Sequence, residues 1–428
     1  MRRGRRVARF GWGLADQSVS SLTNFAVAAL VARTAGVEEF GVFAIAFATY
    51  TLGLGISRAL TGEPILARFS GVDAQRLTGR IRASTGTAFV LGLLFSIACV
   101  AAATTFLEGS FRLTFMMLGL TFPGLILQDA WRYAFFASGN SSRAFVNDLV
   151  WVILLALGLV FVLTERHHSA SQFMLIWGLS ANGASFVGSL QSRVIPGPWH
   201  ALMWLREQSD LGLRFLGEFI ALTGATQLML YGLAIVSGVA SAGAIRGGMV
   251  SMGPFSILLM GVSLVSVPEA VRVARTSLVD LRRYSVALSG GLAGVAVAWG
   301  FIVILIPDRA GHLVLGETWE AARPTLFPMA LWMAGNGVVA GAMAGLRALQ
   351  AAARSLQAQV VSATARLLLG VSGAVLAGAA GAAWGVAGAT LFTSAIWWVQ
   401  LSRALRERGT LVPAPAQDVY PNAALNER

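Results

Sequence analysis

The chain has no lysine, one cysteine, four histidines and few charged residues of any kind. Among its 428 residues, Asp, Glu, Lys and Arg together make up 12%, about half the share of an ordinary soluble domain. All 32 basic residues are therefore arginine, and with 48 glycines this fits a GC-rich coding bias more than a demand for guanidinium. The lone Cys99 lies in an apolar run, which excludes an intrachain disulfide and a thiolate metal cluster. His167, His168, His200 and His312 all sit in connecting segments, and the His167-His168 pair has no third ligand at useful spacing. No metal and no cofactor are expected. There is no phosphate-binding glycine loop; runs such as GVAGAT (385–390) fit close helix packing instead. The largest expected outside loop is 307–323, too small to carry the catalytic constellation of a membrane polymerase, ligase or acyltransferase, so an enzyme is not expected.

What is present is apolar. Hydrophobic residues make up 56% of the chain. By length and breaks they form twelve stretches long enough to cross a bilayer, near 12–33, 41–62, 84–107, 113–137, 145–164, 172–193, 211–236, 246–267, 285–306, 324–346, 358–378 and 382–403. The net charge of +12 does not mark a nucleic-acid binder, because the arginines punctuate these stretches. With the N-terminus inside, only Arg33, Arg112, Arg166, Arg246, Arg309 and Arg323 fall nearer the outside. That imbalance predicts a multi-pass protein of the inner (plasma) membrane with both termini cytoplasmic. The opening MRRGRRVARF resembles the charged region of a signal peptide, but the full-length polar stretch after it reads as an uncleaved first helix.

The expected organisation is all-α: an N-terminal six-helix bundle (1–195), a linker (196–210), a C-terminal six-helix bundle (211–403) and a disordered cytoplasmic tail (404–428). Trp199, Leu202, Met203 and Trp204 suit a linker helix lying in the headgroup layer. A shift of 206 residues places Phe25 on Tyr231, Gly41 on Gly247, Gly55 on Gly261 and Glu63 on Glu269. Six plus six spans with a shared inside exit imply parallel repeats about an axis along the membrane normal, enclosing a central cavity. The first stretch carries Asp16, Gln17, Ser18, Ser20, Ser21, Thr23 and Asn24 in its first half. Unsatisfied polar groups in hydrocarbon cost several kcal/mol each, so this helix must line protein or water.

The run DQSVSSLTNFAVAALVARTAGVEEFGVFAIAF (16–47), with Gly36, Phe40 and Gly41 after the polar first span, resembles the start of the polysaccharide exporters. These are lipid-linked oligosaccharide flippases of the multidrug/oligosaccharidyl-lipid/polysaccharide exporter superfamily. The segment LVLGETWEAARP (313–324) resembles their loop before span 10. The resemblance implies an isoprenoid-pyrophosphate glycan as cargo, the bilayer and glycan assembly proteins as partners, H⁺ or Na⁺ as coupling ion, and alternating access. A multidrug or small-solute antiporter is the alternative on the same architecture.

An anionic headgroup calls for guanidinium, whose planar fork binds phosphate oxygens in pairs. Arg58, Arg132, Arg214 and Arg366 lie inside apolar stretches, about two turns from the cytoplasmic end. At that depth each can also snorkel to headgroups with no role in transport. Asp16, Asp129 and Glu218 are the intramembrane acids expected to bind a coupling ion. Asp129 has Arg132 and Tyr133 at i+3 and i+4, Glu218 has Arg214 at i−4, and Asp16 can serve as a cap, so each also has a purely structural reading. Gln17, Asn24, Gln227 and Tyr231 either meet sugar hydroxyls or join helices. Glu63, ahead of the helix-stopping Pro64, is expected to pair with Arg58 or Arg68.

Overall fold

The computed structural model describes residues 19–70, 74–165 and 167–411. Asp16, Gln17 and Arg166 lie outside the described residues, as does the end of the tail. All regular structure among the described residues is helical. The helices are α1 (Val19–Thr34), α2 (Gly36–Phe69), α3 (Ala74–Thr105), α4 (Gly109–Ala137), α5 (Ser141–Leu163) and α6 (Ala170–Ser192). They continue as α7 (Ala201–Glu207), α8 (Ser209–Ser237), α9 (Val239–Ser251), α10 (Gly253–Ala274) and α11 (Leu278–Ile304). The last are α12 (Asp308–Leu315), α13 (Thr318–Ala348) and α14 (Ala352–Leu411).

Among the described residues nine helices are long and apolar enough to cross a membrane, and the bent pair α9–α10 makes a tenth span. The shorter apolar α1 and the division of α14 match the remaining expected stretches. At 60 residues α14 would run about 90 Å if straight, three times a bilayer core. It turns back instead at Ala377 and Gly378, whose φ of +57° is open to glycine. The α1–α2 junction is tighter than the expected turn over Thr34–Phe40. Only Ala35 breaks the helix, and Gly36 takes φ +78°.

Outward faces are apolar. On α5, Ile153, Leu157, Val160 and Phe161 are exposed, while Trp151 and Leu155 point inward. Such a surface would be a liability in water and is what lipid requires. The inward faces pack aromatics. Phe40, Phe43 and Phe47 stack down one side of α2, and Tyr50 joins them against Phe122 and Trp177. Helices α2 to α6 pack on one another, as do α8 to α14, and the two sets meet mainly where α2 packs on α8 and α9. Near the start of α2 they approach backbone to backbone: Gly41 lies against Val239 and Gly243 against Val37, with no room for a side chain at either glycine.

At the other end of α2, the linker is held against α2 and α3. Arg68 pairs with Asp210 and donates to Gln208 Oε1 at 2.9 Å, and Arg80 pairs with Glu207. This overturns the expected pairing of Glu63 with Arg58 or Arg68: Glu63 accepts from Tyr133 Oη at 3.0 Å instead. Of the four linker residues expected in the headgroup layer, Trp199, Leu202 and Met203 are exposed. Trp204 is fully buried against Phe69, because its indole N–H reaches Leu60 O at 2.9 Å.

Leu60 O is free because α2 passes through a π-helical turn at Arg58–Gly62, RALTG. A second π turn, Ile220–Gly224 with the sequence IALTG, interrupts α8. There Gln359 Nε2 donates to Ala221 O at 2.8 Å. Each π turn has thus released a carbonyl from its helix, and a buried side chain has taken it up. The two turns share the tetrapeptide ALTG but lie 162 residues apart, so they do not follow the 206-residue register. At the far end α14 continues to Leu411, so the expected tail begins as helix.

Candidate functional site

Two connected hollows lie where α1, α2 and α9 meet. The first, of about 230 Å³, is enclosed by α1, α2, α4, α5 and α6, and its polar wall is Asn24, Arg58, Gln128, Asp129, Arg132 and Asp148. The second, of about 330 Å³, lies between the two sets of helices and is lined by Asn24, Arg246, Ser256 and Trp332. Asn24 borders both, and its enclosed Oδ1 has no partner among the described residues. The polar first helix therefore does face a cavity, as its composition requires.

The wall of the first hollow is a closed ionic network. Arg58 Nε and Nη2 donate to Asp129 Oδ2 and Oδ1 at 2.8 and 2.6 Å, a paired fork-to-carboxylate contact. Arg132 Nη1 adds 3.3 Å to Asp129 Oδ1, and its Nε lies 3.2 Å from Asp148 Oδ2. Gln128 Nε2 completes Asp148 at 2.8 Å. Asp129, Asp148 and Arg132 are all buried. Two arginines and two aspartates cancel, which is how a membrane interior tolerates four charges. The sequence spacing anticipated the i+3 contact of Asp129 with Arg132. It did not show that Arg58, on another helix, holds Asp129 more closely. Nor did it single out Asp148 or Gln128, which close the circuit from α5 and α4.

Arg246 differs. It was counted among the outside arginines, but α9 carries it into the second hollow, where its guanidinium lies 4.8 Å from the centre of the Phe47 ring. That cation–π contact is its main partner. No carboxylate pairs with it among the described residues, and its Nε is buried without an acceptor. The signal available in the sequence was weak, because AGAIRGGM reads as a short turn between spans.

The remaining expected residues separate. Tyr231 hydrogen-bonds Thr49 and so joins α8 to α2. Gln227 is half-buried, with no partner among the described residues. Arg214 and Glu218 line a different cleft of about 500 Å³ between α8, α13 and α14, and no ion pair joins them. Arg366 lies well inside its helix. Its helix starts at Ala352, which puts it about four turns, or roughly 21 Å, along α14. Of the acids expected to bind a coupling ion, Asp129 is committed to two arginines and Glu218 is exposed.

Neither a family profile nor a curated protein sequence matches the chain. Solved structures do. The chain is similar to a lipid II flippase MurJ in an inward closed conformation, with TM-score 0.73, 9% identity, and 92% of this chain and 88% of that one covered. It is also similar to a multidrug resistance MATE family transporter of the MOP superfamily in an inward-facing conformation, with TM-score 0.69, 15% identity, and 93% and 99% covered. A third similar structure, at TM-score 0.54 and 13% identity over 92% and 94%, is a MOP superfamily transporter from Pyrococcus furiosus Vc1 described as having a binding pocket of reversed polarity. These are membrane transporters and flippases, not enzymes. The chain has the fold of the MOP superfamily exporters and flippases.

Proposed function

We propose that the protein is a flippase that moves a lipid-linked, isoprenoid-pyrophosphate glycan precursor from the cytoplasmic to the outer leaflet by alternating access. The observation that carries this reading is Arg246. Among the described residues it is a guanidinium with no carboxylate partner, in a cavity between the two sets of helices, beside a wall whose other charges cancel. Such a cavity has a net positive field, and its complement is an anion. A pyrophosphate offers Arg246 the paired oxygens it lacks. The amide of Asn24 borders the same space and is suited to sugar hydroxyls. Arg58 and Arg132 act here as neutralised wall, not as the phosphate clamp.

In this reading residues 1–195 and 211–403 are the two rocking bundles, the linker face is cytoplasmic, and the glycine contact of Gly41 and Gly243 is the outer seal. The multidrug alternative, on the same fold, requires a cavity that attracts cations. Both carboxylates of the first hollow are already paired, and Arg246 would repel a cationic drug.

A proteoliposome assay tests the proposal. A fluorescent isoprenoid-pyrophosphate oligosaccharide should cross the bilayer with the parent protein, and Arg246→Gln should slow it by about ten- to a hundred-fold, the loss expected for a charge-assisted hydrogen bond. Efflux of a cationic dye with no movement of the glycolipid would refute it.

A further inference from the structure

The second set of helices has its own polar chamber, apart from the central cavity. It encloses about 130 Å³ between α8, α13 and α14, and its polar lining is Asn336, Gln359, Ser362, Arg366, Thr390 and Thr393. Arg366 is its only charged lining residue. The Nε of that arginine donates to Ser362 O, one turn back on its own helix, at 3.2 Å. No carboxylate pairs with it among the described residues. A lone charged side chain inside an apolar span is costly unless something offsets it.

The other polar groups show what that partner must be. Gln359 is committed to Ala221 O, Ser362 donates to Ala358 O and accepts from Trp397 Nε1, and Thr393 donates to Ala389 O. Three donors remain: the outer guanidinium nitrogens of Arg366, the amide of Asn336, and the hydroxyl of Thr390. Thr390 is only 4% exposed, and its Oγ1 has no hydrogen-bond partner among the described residues. A chamber with a fixed positive charge and unmatched N–H and O–H groups accepts an anion. Its volume suits a small ion with one or two waters, at about 30 Å³ of liquid volume each, and is too small for a glycolipid headgroup.

There is also an approach path. The cleft of about 500 Å³ that holds Arg214 and Arg347 shares Leu222, Met343, Gln359 and Trp397 with the chamber. Two exposed arginines at its mouth against one carboxylate, Glu218, draw anions inward.

We infer that Arg366, Asn336 and Thr390 form a binding site for a small inorganic anion, chloride or phosphate, reached through the Arg214–Arg347 cleft. The occupant supplies the charge that the protein does not. The site stands apart from the cargo cavity and does not depend on what the cargo is.

The test uses the purified full chain in nanodiscs of neutral phosphatidylcholine, with chloride replaced by isethionate at constant ionic strength. Chloride, or phosphate in a parallel titration, should raise the unfolding midpoint saturably. Arg366→Gln should weaken that response by about ten- to a hundred-fold, Arg366→Lys should restore part of it, and Arg246→Gln should leave it in place. If Arg366→Gln does not yield folded protein, Thr390→Val keeps the charge and should still weaken binding several-fold. The inference is overturned if neither anion shifts the parent, or if Thr390→Val binds as the parent does. It is also overturned if the response disappears in Arg246→Gln instead, or if it appears only when phosphatidylglycerol replaces the neutral lipid.

Discussion

The two sets of helices handle buried charge in opposite ways. In the first, Arg58, Asp129, Arg132 and Asp148 complete one another across α2, α4 and α5. In the second, Arg366 stands among hydroxyls and amides, with no acid among the described residues that line its chamber. Between them Arg246 rests on an aromatic face. Each set is thus a different electrostatic object. A completed network has no call on a ligand and serves as structure. An incomplete one stays costly until something from outside fills it. Judged by partner and not by residue type, the four arginines divide into two held by aspartates and two with no carboxylate partner among the described residues.

The largest expected effect is on the completed network. Asp129→Asn leaves Arg58 without a carboxylate and Arg132 with Asp148 alone, and should cost about 3–5 kcal/mol, read as a lowered unfolding midpoint in detergent. The double variant Arg58→Gln/Asp129→Asn keeps the neutral Arg132–Asp148 pair and should recover much of that loss. Equal instability in the single and double variants would mean that the network is not a charge balance. Arg366→Leu sharpens the contrast. In anion-free buffer it removes an unbalanced charge and should leave the protein at least as stable as the parent. A loss comparable to that of Asp129→Asn would erase the distinction between the two sets. The smallest effect belongs to the π turns. Trp204→Phe keeps the ring against Phe69 but strands Leu60 O, costing about 1 kcal/mol, and Gln359→Met should do the same at Ala221 O.

Much of this was legible in the sequence, for stated reasons. Stretch length and breaks located the helices, because the bilayer sets how long an apolar run must be. The polar first half of α1 implied a cavity, and Asn24 lines it. Asp129 and Arg132 were visible as a pair because i+3 is a local relation. What the sequence hid is non-local. Asp148 sits in a stretch that reads as plain apolar helix, and only the packing of α5 on α4 brings it to Arg132. Arg246 is hard to single out because the glycines around it look like a turn, whereas here they let α9 pack closely on α2 and α13.

The paired ALTG turns carry a geometric consequence. One residue added to a helix rotates everything beyond it by about 100° around the axis, since a full turn takes 3.6 residues. In α2 this falls between the segment that presents Arg58 to the ionic wall and the segment that presents Arg68 to the linker. If the extra residue migrated along the helix, the upper part could turn while the end clamped to Asp210 stayed still. The same arrangement in α8 would give each set of helices its own swivel at the same end of the molecule.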